Sequence, residues 1–200
     1  MIKNVVFDLG NVLFKFDSKA LIKSFNKGKY NKKIDDVLFG NWSIRDKGEI
    51  TDGQFISLIE KQLNEEEMAI SKNILKNWIS CLKFDNKVLS MISDLKNHKI
   101  NIFVLSNIPL DFAKSYKEIS ELKDVDDALF SSQVNLLKPD IKIFKKAIEK
   151  FGINPKDSVY IDDLKSNVIV AKNLGFKGYI YKSNIRKIYN KIIKENKNGF

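Results

Sequence analysis

Two hundred residues at 44% hydrophobic content suffice for one α/β domain with a sizeable insertion, and they exclude a disordered chain. The net charge of +10 is almost all lysine, since Arg45 and Arg186 are the only arginines, and it is scattered among Asn and Ile; this describes a solvated surface and argues against a nucleic-acid partner. No apolar run approaches the ~20 residues of a membrane span, no signal-peptide pattern precedes the first strand, and the single cysteine excludes an internal disulfide, so a cytoplasmic protein without a membrane partner is expected.

Residues 3–7 carry the apolar run Val5-Val6-Phe7, a buried strand that stops on Asp8 and turns through Leu9-Gly10-Asn11-Val12. Residues 17–83 then change character. Helical spacing recurs in Leu21, Ile22 and Phe25, in Phe55, Leu58, Ile59 and Leu63, and in Ile70, Ile74, Leu75 and Trp78, with no convincing strand. This predicts an all-helical insertion, with Asp17 as N-cap of a helix from Ser18 and Thr51 as N-cap of one from Asp52. Cys81, near its end, is expected to be a small buried apolar residue.

Beyond Phe84 helices and strands alternate. Helices are predicted over 88–95, 110–119, 141–151 and 166–174, the last two ended by Gly152 and Gly175, and strands over 100–105, 128–131, 158–161 and 178–181. His98 falls at a helix C-terminus, where it favours the dipole. The tail from Ile185 is polar and helical. Such alternation implies right-handed βαβ crossovers and a doubly wound parallel sheet. The expected division is an α/β core of residues 1–16 and 84–200 with the small helical insertion at 17–83.

Four strand ends or loops carry chemistry-bearing groups in order: Asp8, Ser106-Asn107, Lys138-Pro139-Asp140 and Asp162-Asp163. In a doubly wound sheet these ends can meet in one crevice. A carboxylate, a hydroxyl with backbone N–H groups, an ammonium and a pair of acids suit phosphoryl transfer, which needs positioning and charge neutralisation more than a histidine base. Adjacent acids at a buried strand end also repel each other unless a cation is present.

The order and surroundings of these motifs resemble the haloacid dehalogenase (HAD) superfamily. The stretches that carry the likeness are Val5-Val6-Phe7-Asp8-Leu9-Gly10-Asn11-Val12, Val104-Leu105-Ser106-Asn107, Lys138-Pro139-Asp140 with Ile143-Phe144, and Tyr160-Ile161-Asp162-Asp163 with Asn167. The resemblance implies a Rossmannoid core, a helical cap and, in most members, a Mg²⁺-dependent phosphatase acting on a small phosphorylated metabolite. The Asp-Leu-Gly-Asn-Val form and the cap segment Gly48-Glu49-Ile50-Thr51 look like a bacterial branch that includes α-D-glucose-1-phosphate phosphatases, which suggests a sugar 1-phosphate.

Carried over, Asp8 attacks phosphorus and forms an aspartyl-phosphate. Mg²⁺ is held by Asp8, the Gly10 carbonyl oxygen and Asp163, with Asp162 assisting. The Ser106 hydroxyl and the Asn107 N–H grip phosphoryl oxygens, Lys138 neutralises charge, and Asn167 orients the loop. Arg45, beside Trp42 in the cap, is a candidate for substrate specificity, with a surface role as its alternative. The expected state is a monomer or weak dimer.

One departure stands out. Most phosphatases of the family carry a general acid two residues after the nucleophile, and here that position is Gly10. Such catalysis is typically worth ~10²–10⁴-fold, and Asp17 or a cap residue is left to supply the proton. Two alternatives remain beside the phosphatase: a metal-free 2-haloacid dehalogenase, which gains nothing from Asp162-Asp163, and a catalytically silent binding module, which does not need Asp8 and Lys138.

Overall fold

The computed structural model describes residues 1–197. Its centre is a five-stranded sheet built from β1 (Asn4–Phe7), β4 (Asn101–Ser106), β5 (Asp127–Phe130), β6 (Ser158–Asp162) and β7 (Lys177–Ile180), in the order β5-β4-β1-β6-β7 with every neighbouring pair parallel. The strands are short and apolar on both faces, the pattern of a sheet covered by helices on each side. Register decides where the chemistry lies. Phe7 is level with Val104 and Ile161, so Asp8, Ser106 and Asp162 all arrive at the carboxyl edge beside the central strand.

Alternation along β1 sends Val6 to one face and Val5 and Phe7 to the other. On the first face Val6, Leu105 and Tyr160 pack against α9 (Ile141–Phe151) and α10 (Lys165–Asn173) through Ile143, Phe144, Val168 and Ala171. On the second, Val5, Phe7, Val104 and Ile161 join α6 (Asn86–Asn97), α7 (Leu110–Ser115) and α11 (Ile185–Lys197). Directly after β5 comes a single α-helical turn, α8 (Ser131–Val134).

The insertion contains α1 (Ser18–Phe25), α2 (Lys32–Ile34) continuing into a π-helical turn (Asp35–Phe39), α3 (Trp42–Lys47), α4 (Asp52–Glu60) and α5 (Glu65–Asn77). Asp17 caps α1 by accepting from the Ala20 N–H, and Thr51 and Gln54 close a capping box on α4. The apolar side of the insertion, with Ile22, Leu38, Trp42, Phe55 and Trp78, is continuous with the second face of the sheet.

Three features depart from expectation. The insertion is framed by β2 (Phe14–Lys15) and β3 (Lys83–Phe84), an antiparallel pair two residues long on each side; strands that short show no period. Helix α7 stops at Ser115 and tightens into a 3₁₀ turn at Tyr116–Glu118 instead of running on to Ile119. Cys81 is half-buried at the end of the insertion, packed against the core and not enclosed by it.

Candidate active site

Asp8, Lys138 and Asp162 form a buried charge cluster at the sheet edge. The Lys138 ammonium lies 2.8 Å from Asp8 Oδ1 and 2.8 Å from Asp162 Oδ2, and it also donates to the Leu105 carbonyl at 3.0 Å. Burial pulls the lysine pKa down, but the two carboxylates outweigh it and hold Lys138 above its ordinary value, so it stays charged. Asp162 is wholly enclosed. Its Oδ2 accepts from Lys138 and from the Tyr160 hydroxyl at 2.6 Å, its Oδ1 from the Leu164 N–H at 2.8 Å, and Asn167 Nδ2 reaches both oxygens at 3.0 Å. Burial raises its pKa, but Lys138, the Tyr160 hydroxyl and the Leu164 N–H together outweigh it, and the net shift is downward. Asp162 therefore anchors the lysine, with its lone pairs committed to protein donors.

Asp8 is held at one oxygen only. The Leu9 N–H, the Ser106 hydroxyl and the Lys138 ammonium all meet Oδ1, at 2.8, 2.7 and 2.8 Å. Oδ2 has no donor among the described residues. Burial pushes the Asp8 carboxyl up to about 6; Lys138 opposes the rise and Asp162 adds to it. Asp163 is raised too, by burial and then by Asp162, although Asn11 Nδ2 donates to it at 3.2 Å.

Carboxylate oxygens of Asp8, Asp162 and Asp163 all lie within 4.8 Å of one another. Burial, with Asp162 adding to it, shifts two of the three acids toward the neutral form, and the all-oxygen donor set of the cluster suits a hard divalent cation. The residues present fit Mg²⁺.

A cavity of about 280 Å³ opens over this cluster. Asp8, Gly10, Asn107, Lys138 and Asp163 line its floor, and Phe16, Trp42, Asp46 and Trp78 of the insertion and its stem line its roof. The aromatic rings brace one another, with Trp42 and Trp78 edge to face at 5.5 Å and Phe16 5.8 Å from Trp42. A wider groove of about 810 Å³, bordered by Met91 of α6 and Ile185 of α11, contains none of the carboxylate cluster.

Most of the expected residues thus meet at one place. Ser106 lies just beneath the floor with its hydroxyl donated to Asp8. The Asn107 side chain brackets the Lys138 backbone, donating to its carbonyl at 3.0 Å and accepting from its N–H at 2.8 Å. Arg45 is elsewhere. It is buried, not on the surface, and it stands outside the cavity lining. Its Nη2 bonds Asp52 and Asp111 at 3.1 Å each, and its guanidinium lies 4.8 Å from the Trp42 ring and 5.7 Å from that of Phe55. Asp17 does not border the cavity either. Three contributors escaped the sequence reading: Tyr160, hidden in the apolar periodicity of β6; Asn11, which stands in the first motif; and Asp46, two residues before the cap segment Gly48-Glu49-Ile50-Thr51.

The pattern of haloacid dehalogenase-like hydrolases matches residues 2–175. A D-ribitol-5-phosphate phosphatase of Bacteroides thetaiotaomicron is 27% identical over 194 residues, covering 90% of this chain and 91% of the relative. A sesquiterpene phosphatase of Aspergillus oryzae is 22% identical over 181 residues, covering 88% of each. Among solved structures, a HAD family enzyme of Bacteroides thetaiotaomicron, crystallised as an aspartate-to-alanine variant with magnesium and inorganic phosphate, superposes with a TM-score of 0.71 at 26% identity, covering 92% of this chain and 96% of that one. The chain is an enzyme and belongs to the haloacid dehalogenase-like hydrolase family.

Proposed function

We propose that the protein is a Mg²⁺-dependent phosphatase that hydrolyses a small phosphorylated metabolite through an aspartyl-phosphate on Asp8. The observation that carries this reading is the asymmetry at Asp8, whose Oδ1 takes three donors while Oδ2 is left free on the cavity floor. A carboxylate fixed by one oxygen presents the other as a nucleophile in a set direction.

In this scheme Asp8 Oδ2 forms a bond to phosphorus as the bond to the leaving oxygen breaks. Lys138, locked by Asp162 and Leu105, holds positive charge beside the reacting carboxylate without moving. The Ser106 hydroxyl and the Asn107 N–H bind phosphoryl oxygens, which requires Ser106 to exchange its bond to Asp8 for one to substrate. Asp8, the Gly10 carbonyl and Asp163 would hold the cation, with Asp162 behind them; when bound, it supplies charge neutralisation to the phosphoryl group. Water then attacks the phosphorus of the aspartyl-phosphate, releasing inorganic phosphate and restoring Asp8.

Residues 17–83 act as the cap. Their aromatic roof supports a leaving group with a broad apolar face, such as the stacking face of the sugar ring in a sugar 1-phosphate or a hydrocarbon chain. The metal-free dehalogenase reading has no use for Asp163, whose carboxylate stands beside Asp8 with its pKa already raised. A screen of sugar, isoprenyl, acyl and aryl phosphates, each with Mg²⁺ and with EDTA, tests the proposal. Chelator-sensitive phosphate release is the expected result. Release undiminished by EDTA removes the cation from the scheme, and halide release from 2-haloacids without phosphate release overturns it.

A further inference from the structure

Gly10 leaves the site without the usual proton donor, and the insertion supplies another carboxyl group. Asp46, near the end of α3, lines the same cavity as Asp8, Asn107 and Lys138. Its Oδ1 is buried without a hydrogen-bond partner. A carboxyl oxygen left unsatisfied in this way is costly if ionised and much less so if protonated.

The position of Asp46 is fixed to the catalytic loops. Its backbone carbonyl accepts from Ser131 Oγ at 2.5 Å, and the same hydroxyl oxygen accepts from the Ile108 N–H at 2.9 Å, next to Asn107. The Lys47 carbonyl accepts from Asn135 at 3.2 Å. Gly48, at φ +75°, closes the helix so tightly on α8 that a Cβ there would stand 2.3 Å from the Ser132 carbonyl oxygen. These ties couple the C-terminal end of α3 to the core at the level of the phosphate-binding loop.

We infer that Asp46 is the general acid and base of this enzyme, donating a proton to the leaving-group oxygen and taking one back from the attacking water. The inference rests on the phosphatase reading above. In the first half-reaction the Asp8–phosphorus bond forms, the phosphorus–oxygen bond to the leaving group breaks, and that oxygen takes the Asp46 proton. In the second, water attacks phosphorus, its proton passes to the Asp46 carboxylate, the bond from phosphorus to Asp8 breaks, and the acid is restored. The surroundings of Asp46 favour this role. Burial pushes its pKa up to about 7; Arg45 opposes the rise, Asp8 and Asp111 add to it, and Lys138 opposes it again. An acid titrating near neutrality is suited to both transfers.

Aryl and alkyl phosphates of similar size separate this role from a structural one, because an aryloxide needs little protonation and an alkoxide needs much. With Mg²⁺ present, Asp46→Asn should lower kcat/KM for an alkyl phosphate by ~10²-fold or more and for p-nitrophenyl phosphate by less than ~10-fold. The fall in wild-type alkyl activity above pH ~7 should disappear in the variant. Asp46→Glu should retain part of the activity. A Cβ on Gly10 meets nothing within 4 Å, and Gly10 does not have a positive φ, so Gly10→Asp fits the turn. Combined with Asp46→Asn it should recover alkyl hydrolysis selectively, by ~10-fold or more. Equal losses on both substrates, or a rise in KM alone, overturn the assignment of Asp46 and leave the phosphatase intact. A wild-type enzyme that hydrolyses neither substrate overturns both.

Discussion

Lys138→Met removes the charge that holds the site together while nearly preserving the side-chain volume. In the native protein the ammonium bridges Asp8 and Asp162 at 2.8 Å each and is itself almost fully enclosed. Deleting one partner of a buried ion pair costs ~3–5 kcal/mol, because the remaining charge is left uncompensated. Here two carboxylates are left, but burial already holds Asp8 at about 6 against the opposing pull of Lys138, so removing the lysine raises it further and its protonation near neutral pH limits the damage. A loss of ~3–4 kcal/mol follows, or ~6–15 °C in Tm for a chain of this size. The pH dependence has a definite sign. The Lys138 pKa is raised above 10.5, so its contribution is complete at neutral pH and fades only well into the alkaline range; Asp162 is depressed below 3.8, so its contribution is present above that value and fades in acid. The deficit of the variant should be full at pH 7–8 and shrink as the solution approaches pH ~4. Thermal and urea unfolding of both proteins in EDTA, from pH ~3 to pH ~8, measure it. A variant as stable as wild type at pH 7.5, or a deficit that does not shrink on acidification, refutes the reasoning.

Asp8→Asn should abolish turnover of every phosphate ester while near-ultraviolet circular dichroism stays native, since the amide fits the same space and is not nucleophilic; residual turnover near the wild-type rate would exclude Asp8 as the nucleophile. Mg²⁺ at about 100 times its dissociation constant should stabilise the wild type by ~2.7 kcal/mol, a rise of ~5–10 °C in a melting curve, and Asp163→Asn should largely remove that rise. Arg45→Met should lower Tm by several degrees, because it leaves Asp111 without the guanidinium, yet leave KM for small substrates unchanged; a KM effect at unchanged Tm would return Arg45 to the substrate.

The floor of the candidate site was legible in the sequence because it lies where periodicity breaks. Buried parallel strands are short apolar runs, so an acid at the end of one, as at Asp8 or Asp162, stands out against its neighbours. Sheet register then places these ends side by side, and Lys138 reaches them from the loop before α9. Asn167 sits inside α10 and was expected only through the family resemblance, as orienting the loop; its amide donates to both oxygens of Asp162. Tyr160 was not legible, since an aromatic residue in an apolar strand has the same periodicity whether or not its hydroxyl finds a partner. The short strands β2 and β3 were missed for a related reason: two residues carry no alternation, and only their pairing across the insertion defines them.

The roof was illegible because the sequence positions of the insertion do not give its packing. Arg45 and Asp46 are neighbours on one short helix, so successive side chains point about 100° apart. The two side chains therefore point in different directions, and local sequence does not say which one reaches the cavity. Arginine beside tryptophan suggested a hand for the phosphate, but the structure turns the guanidinium between the Trp42 and Phe55 rings and onto Asp111. That turn delivers the adjacent carboxyl to the cavity. It also puts a cation next to Asp46 on the chain, which limits how far burial can raise the acid and keeps it near 7. The contacts of Arg45 itself lie outside the cavity, and its charge opposes the rise that burial imposes on Asp46.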